Sequence, residues 1–282
     1  MPARILHGQI VAERLHRNIE QGLQGLDSVP TLAILDATGE PSAARSCEAR
    51  STAAGSLGVQ CQVHRLPAQG AGRELLDLIR ELAEDPCVHA IVLQAPLPRE
   101  YASLYPWQRI PPEKDVEGLH PFNLGRLMVG SPLFVPATAA ACIELLHHYE
   151  LPLASKRAVV VGRSLVVGRP LALLLLAEDA TVTVCHSRTR DLAYETRQAE
   201  VLVVAAGQPE LVTASMVSPG AVVLDVGTNL RADGQIVGDV EQAGVHMVAS
   251  ALSPPVGGLE PVTTALLLWQ TVEAARLAAA RG

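Results

Sequence analysis

The chain has 282 residues, enough for two domains, and is 49% hydrophobic with only 3% aromatics, so aliphatic side chains must fill its cores. A formal charge of −7 argues against a general nucleic-acid binder, which would carry a basic face. The five cysteines (Cys47, Cys61, Cys87, Cys142, Cys185) form no CxxC pair and no apolar run reaches the ~18 residues of a membrane span, so the expectation is a cytoplasmic protein with reduced thiols, no structural metal and no membrane partner.

Ile5 to Leu26 begins as a short strand and continues at helical spacing through Ile10, Val11, Leu15, Ile19 and Leu23. Thr31 to Leu35 predicts a strand, and Asp36 to Ser42, with Gly39 and Pro41, a loop. Ala43 to Leu57 predicts a helix closed by Gly58, on which Ser46 and Arg50, four residues apart, share a face. Strand Gln60 to Leu66, amphipathic helix Arg73 to Glu84 and apolar strand Ala90 to Leu93 follow. Gln94 comes directly after that last strand, where open parallel sheets bind their ligands; a satisfied strand-end amide is the other role open to it. Ile110 to Leu127 (IPPEKDVEGLHPFNLGRL) is expected to be irregular, and its density of polar groups fits either a site or a capping loop, with Asp115 open to both roles. Val135 to Tyr149 predicts a helix bridging two domains.

Ala158 to Val161 is an apolar strand that stops at Gly162; Arg163, Ser164, Gly168 and Pro170 then lead into a leucine-rich helix. A helix N-terminus after a glycine turn is a natural seat for phosphate. The next strand, Thr181 to Cys185, runs into His186, Ser187 and Arg188. An NAD site usually has Asp or Glu at that strand end; a hydroxyl and a cation, with Arg163 in the preceding turn, suit the extra phosphate of NADP instead. Strands Val201 to Ala205 and Ala221 to Asp225 end in Ala206-Gly207 and Gly227-Thr228, small residues against which a flat ring or ribose could press. Gly238-Asp239-Val240, an apolar stretch Met247 to Ala251, a constrained loop with Pro254, Pro255, Gly257, Gly258 and Pro261, and a helix from Thr263 to Ala280 complete the chain. Strands alternating with helices in both halves predict doubly wound α/β architecture. Neither an HExxH metal pair nor a G-x-S-x-G nucleophile elbow occurs.

GRSLVVGRP at Gly162, CHSRT at Cys185, AAGQP at Ala205, DVGTN at Asp225, GDV at Gly238 and KDVEGLHPFNLGRL at Lys114 together resemble the bifunctional methylenetetrahydrofolate dehydrogenase/cyclohydrolase family over nearly the whole length. The resemblance implies a folate-binding α/β catalytic domain (residues 1–138 and 265–282), a Rossmann-type NADP-binding domain (139–264), a tetrahydrofolate derivative in the cleft between them, and a homodimer formed through the nucleotide domain. It assigns NADP to Gly162, Arg163, Ser164, Gly168, Ser187, Arg188, Ala206, Gly207, Thr228 and Thr138, and the folate to Asp115, Glu117, Pro254, Gly257 and Gly258. Its catalytic positions fall on Ser46, Arg50 and Gln94.

The departures from the family pattern lie on the folate side. Ser46 and Arg50 stand where the family has Tyr and Lys, Glu117 where it has the second Asp of KDVDG, and Pro254 to Thr263 reads PPVGGLEPVT for PVPGGVGPMT, which introduces Val256 and Glu260. Gln94 is retained in LQAPLP for VQLPLP, and PATA at Pro136 replaces PCTP. Hydride transfer from methylenetetrahydrofolate needs positioning, whereas opening the methenyl ring needs a group that titrates near neutrality, which arginine does not. The expected function is NADP-dependent oxidation of methylenetetrahydrofolate to methenyltetrahydrofolate with weakened or absent cyclohydrolase activity. Two further readings stay open in the sequence: a diverged paralogue acting on another pterin or an amine-bearing substrate, and a non-catalytic nucleotide-binding protein.

Overall fold

A computed structural model describes residues 2–231 and 233–281, with the side chains of Pro41 and Ser42 left out. In chain order the elements are β1 (Arg4–Ile5), α1 (Gln9–Leu23), β2 (Thr31–Asp36), α2 (Pro41–Ser56), β3 (Gln60–Arg65), α3 (Gly72–Glu84), β4 (Ala90–Leu93), α4 (Arg99–Ala102), α5 (Pro121–Met128) and α6 (Ala137–His148). There follow β5 (Arg157–Val161), α7 (Gly168–Ala177), β6 (Thr181–Cys185), α8 (Leu192–Arg197), β7 (Val201–Val204), β8 (Val222–Asp225), β9 (Asn229–Leu230), β10 (Ile236–Val237), α9 (Gln242–His246), β11 (Ala251–Leu252) and α10 (Leu259–Ala279). They form two compact units, Met1–Glu13 with Pro136–Thr263 and Arg14–Val135 with Thr264–Gly282. Among the described residues no helix is long and apolar enough to cross a membrane.

The first unit carries a six-stranded parallel sheet in the order β1-β11-β8-β7-β5-β6. Its inner strands are short aliphatic runs covered on both faces, as parallel sheets require. Val159, Val161, Leu202, Val204, Val223 and Leu252 form one continuous core. The domain division expected from sequence, with residues 1–138 in one domain, needs a correction at its start: Arg4 and Ile5 pair in register with Ala251 and Leu252, so the first strand joins the larger sheet. The short strand at Ile5 is legible in the sequence, but its pairing with a segment some 250 residues away leaves no local signature there.

The second unit holds a three-stranded parallel sheet, β3-β2-β4. All six residues of β2 are buried. Leu35, Leu75, Ile79, Ile91 and Leu93 pack with Tyr101, whose hydroxyl donates to the Pro67 carbonyl (2.6 Å) and accepts from Ala71 N (3.1 Å). The stretch expected to be irregular contains α5. Its start is capped by His120 Nδ1, which accepts from Phe122 N at 3.0 Å, and Pro121 occupies the first turn, where a missing N–H costs nothing.

The strand-to-helix turn after β5 depends on its glycines. Gly162 has φ +132°, and a Cβ there would collide with the Ala205 carbonyl oxygen; a Cβ on Gly168 would strike the Gly162 carbonyl. Gly162 N donates to Cys185 O (2.9 Å) and Ala205 N to Val161 O (2.7 Å), so the three strand ends are locked together where the clash would occur. Gly162→Ala is therefore expected to destabilise the first unit by about 2–4 kcal/mol from backbone strain and overpacking. Thermal unfolding followed by circular dichroism should show a midpoint several degrees lower, and an unchanged midpoint would contradict this account of the turn.

Candidate active site

In the second unit the site is built where α2, the end of β4 and the following loop converge. Helix α2 is closed by Gly58 at φ +75°. It carries Arg50 toward β4, and Arg50 Nη1 donates to Gln94 Oε1 at 2.8 Å. Cys47 Sγ approaches the same oxygen at 3.8 Å. Ser46 lies one turn before Arg50 and is partly exposed. Gln94 is 7% exposed; its backbone N–H donates to Leu35 O (2.9 Å) and its Nε2 to Ala95 O (3.3 Å). Of the two roles open to Gln94, the geometry displays the satisfied strand-end amide: the backbone closes the sheet and the side chain meets Arg50 and Ala95 O.

The loop after β4 separates its charged groups by function. Lys114 Nζ donates to Leu82 O (3.2 Å), Ala83 O (2.8 Å) and Asp85 O (2.7 Å), capping the last turn of α3, and burial pushes its amine down. Asp115 is 1% exposed and accepts from His120 N (2.7 Å) and Asn123 Nδ2 (2.8 Å); burial raises its carboxyl to about 6 against these bonds. The aspartate expected at the substrate is thus enclosed by its own loop and ties the loop to α5. Glu117, two residues on, accepts no hydrogen bond from the described residues. Burial pushes its carboxyl up to about 7, opposed by the charge of Arg50 and reinforced by Asp115. Arg50, Gln94 and Glu117 therefore form one group, in which the carboxyl is the member that changes charge near neutrality.

In the first unit the nucleotide candidates cluster at the C-terminal ends of four neighbouring strands. After β5, Ser164 Oγ accepts from Val167 N (3.1 Å) and Gly168 N (3.4 Å) and closes the turn, leaving Arg163 and Ser164 exposed. After β6, His186 Nδ1 accepts from Arg188 N (3.1 Å) and Thr189 Oγ1 from His186 N (2.9 Å), a tight turn with Ser187 and Arg188 at its exposed tip. Val161 pairs with Cys185, so these two turns leave adjacent strand ends. Ala206 and Gly207 follow β7, and the exposed Thr228 follows β8. Thr138 lies in the first turn of α6.

Pro254, Gly257 and Gly258 also belong to the first unit, after β11. Gly257 has φ +75° and its carbonyl accepts from Gly8 N at 2.9 Å; a Cβ on Gly258 would collide with the Pro254 carbonyl. Val256 is 57% exposed, and Glu260 is exposed in the first turn of α10. Two residues quoted in the sequence only as parts of motifs prove central here. The carboxylate of Asp239, 0% exposed, accepts from Ala206 N, Gly207 N, Gln208 N and Asn229 Nδ2, and Asp225 sits behind it. The spacing of two aspartates with adjacent glycines (DVGTN and GDV) was the signal available for them.

Comparison with known proteins agrees with both halves. The description "tetrahydrofolate dehydrogenase/cyclohydrolase, catalytic domain" matches residues 6–117, and "tetrahydrofolate dehydrogenase/cyclohydrolase, NAD(P)-binding domain" matches residues 136–279. The bifunctional protein FolD of Parafrankia sp. (strain EAN1pec) is 48% identical over 275 residues, covering 96% of this chain and 99% of that one. The bifunctional FolD methylenetetrahydrofolate dehydrogenase/cyclohydrolase of Campylobacter jejuni superposes with a TM-score of 0.91 at 36% identity, over 98% of this chain and 99% of that one. The Trypanosoma brucei N5,N10-methylenetetrahydrofolate dehydrogenase-cyclohydrolase, complexed with NADP cofactor and inhibitor, superposes with a TM-score of 0.92 at 32% identity over 100% of both chains. By its fold, by the match of both halves and by identity along nearly its full length, this chain belongs to the tetrahydrofolate dehydrogenase/cyclohydrolase family.

Proposed function

We propose that this chain oxidises methylenetetrahydrofolate to methenyltetrahydrofolate at the expense of NADP, and that it opens the methenyl ring slowly or not at all. Family membership supports the first half. The observation that carries the second is the 2.8 Å bond from Arg50 Nη1 to Gln94 Oε1, which holds a guanidinium where ring opening would need a titrating amine.

The residues of the first unit fit NADP. Gly162 and Gly168 keep the β5 turn free of side chains where a pyrophosphate would approach. Arg163 and Arg188 rise from adjacent strand ends, and no carboxylate stands among residues 186–190 to oppose a 2′-phosphate. On this reading Ser164 and Ser187 join them at the phosphates, and Ala206, Gly207, Thr228 and Thr138 face the sugar and the ring. Bound NADP supplies the hydride acceptor. Free cysteines throughout the described chain fit a protein working in the cytoplasm.

The hydride leaves a methylene carbon flanked by two nitrogens, pushed by a nitrogen lone pair, so the protein's task is orientation. Gln94, its oxygen engaged by Arg50, keeps one amide hydrogen for the substrate. Glu117 in its ionised form accepts N–H groups of the pterin. Ring opening adds water to the bridge carbon; a proton must leave the water and return to the departing nitrogen. A guanidinium does neither, and Ser46 is too short to replace a tyrosine hydroxyl. The oxidised product is itself a cation, and a fixed positive charge beside it favours its departure before water attacks.

The unpaired edge of the six-stranded sheet supports a homodimer formed through this unit. Among the described residues strand β6 pairs only with β5, and it is largely exposed, which leaves the backbone groups of its outer edge without a sheet partner. Light scattering should give the mass of two chains, and a monomer would remove this reading.

In a spectroscopic assay NADPH and methenyltetrahydrofolate should accumulate together, with formyltetrahydrofolate forming no faster than in buffer. Arg50→Lys combined with Ser46→Tyr should raise ring opening by about tenfold or more while changing hydride transfer less than about threefold. Rapid ring opening by the wild-type protein would refute the separation of activities. Because both oxygens of Glu117 accept, and accept strongly, only when the carboxyl is ionised, KM for the folate should fall as pH rises through about 7, with KM for NADP flat. Glu117→Gln should abolish that slope; a slope that survives the substitution assigns it to another group.

A further inference from the structure

Asp239 makes an unusual number of bonds for a side chain that touches no surface. Its Oδ2 accepts from Ala206 N (2.6 Å) and Gly207 N (2.8 Å), and its Oδ1 from Gln208 N (2.8 Å) and Asn229 Nδ2 (2.8 Å). Four N–H donors fill the four acceptor positions of an ionised carboxylate. Three come from the loop leaving β7, the fourth from Asn229 at the start of β9, in the segment that leaves β8. These strands are neighbours, with Val204 paired to Asp225 and Val226 N donating to Val204 O (2.9 Å); farther out the two exits are joined by Glu210 N to Gly238 O (3.0 Å), Val212 N to Asp239 O (3.0 Å) and the Glu210–Arg231 ion pair, so at residues 206–208 themselves the link is the Asp239 carboxylate.

A second carboxylate braces the first. Asp225 Oδ1 accepts from Asp239 N (2.9 Å) and Gly227 N (3.0 Å), and its Oδ2 from Val240 N (3.2 Å) and Gln242 Nε2 (3.0 Å). The glycines between them are required: a Cβ on Gly227 would overlap the Asp239 carboxylate, and one on Gly238 the Asp225 carboxylate. The three motifs AAGQP, DVGTN and GDV, far apart in sequence, thus meet in one buried hydrogen-bond chain.

The geometry points to Asp239 as a positioning residue of the nucleotide site: its carboxylate, held by Asp225, sets the distance between the β7-exit and β8-exit loops so that Ala206, Gly207 and Thr228 face the dinucleotide together. This inference rests on the assignment of those loops to NADP. Asp239 touches no cofactor atom; it acts through the loops. It also turns the backbone amides of residues 206–208 inward, so these three offer a phosphate no backbone N–H donors, and the anionic part of the ligand is left to the Gly162–Gly168 turn and the exposed arginines.

Two variants test it, read by calorimetric titration with NADP and by the separate KM values of the two substrates. Asp239→Asn keeps the shape but places an amide NH2 against an N–H donor, and should weaken NADP binding about 10- to 100-fold. Asn229→Ala removes only the bond from Asn229 to Asp239, leaving the three backbone bonds and the Glu210–Arg231 pair, and should cost about 3- to 10-fold. In both, KM for the folate should change less than twofold, a selectivity that general loosening of the fold would not give. If the wild type binds NADP and Asn229→Ala, folded with an unchanged melting midpoint, binds it equally well, the positioning role is wrong. If the wild type does not bind NADP, the cofactor assignment fails and this inference falls with it.

Discussion

The loops at the C-terminal edges of both parallel sheets are held by buried carboxylates that accept N–H groups. A loop that leaves a sheet carries backbone donors with no ladder partner, and burying them unpaired costs more than burying a paired charge. Asp36 accepts from Thr38 N and Thr38 Oγ1 after β2, Asp115 from His120 N and Asn123 Nδ2 after β4, and Asp225 and Asp239 organise the exits of β7 and β8. All four are nearly inaccessible to solvent. The consequence for function is rigidity: the residues assigned to ligands sit on loops whose backbones are fixed before any ligand arrives, which is what hydride transfer asks of a protein.

Within this scheme a carboxylate's surroundings decide its role. Asp115 and Glu117 are two residues apart in one loop and both are raised by burial. Asp115 is surrounded by donors from its own loop and has no free face. Glu117 has the charge of Arg50 nearby but no donor among the described residues, so its oxygens remain available. The reverse holds for the cations: Lys114, the one lysine of the loop, has its ammonium taken up by three carbonyls at the end of α3, while Arg50 reaches the strand-end glutamine. The site therefore lacks an amine that could titrate, although lysine stands in the adjacent motif.

Strands, the glycine turn and the order of the α/β units were legible because each rests on neighbours in sequence: apolar runs of four to six residues, a glycine where φ is positive, a proline in a first helical turn. The family pattern was legible too, since its motifs are contiguous. The pairing of β1 with β11 was not, because two residues carry no periodicity and the register is set by a distant segment. Helix α5 was hidden by Gly125 and by the polar residues crowded into its approach, although His120-Pro121 is a capping sequence once the structure is known. Asp239 was quoted in a three-residue motif, but its four donors come from two other segments, and only their convergence distinguishes it from an ordinary loop aspartate. Asp115 could be read either as a cap or as a ligand, and its enclosure by His120 and Asn123 favours the cap.

A lysine at the position of Arg50 would combine two properties, a cation that can grip Gln94 and an amine that can give up its proton. Arginine keeps the first and loses the second, since its guanidinium forms directed bonds to an amide oxygen yet stays charged throughout the range in which proteins work. The replacement is conservative for any step that needs the glutamine held in place and disruptive for any step that needs a proton carried. Hydride transfer belongs to the first kind and hydrolytic ring opening to the second, so one substitution on one helix can divide two reactions that share a binding site. The same logic explains why the turn at Gly162 and the carboxylate chain behind Ala206 match the family pattern in this sequence: both proposed outcomes, one activity or two, require the dinucleotide to be seated in the same way.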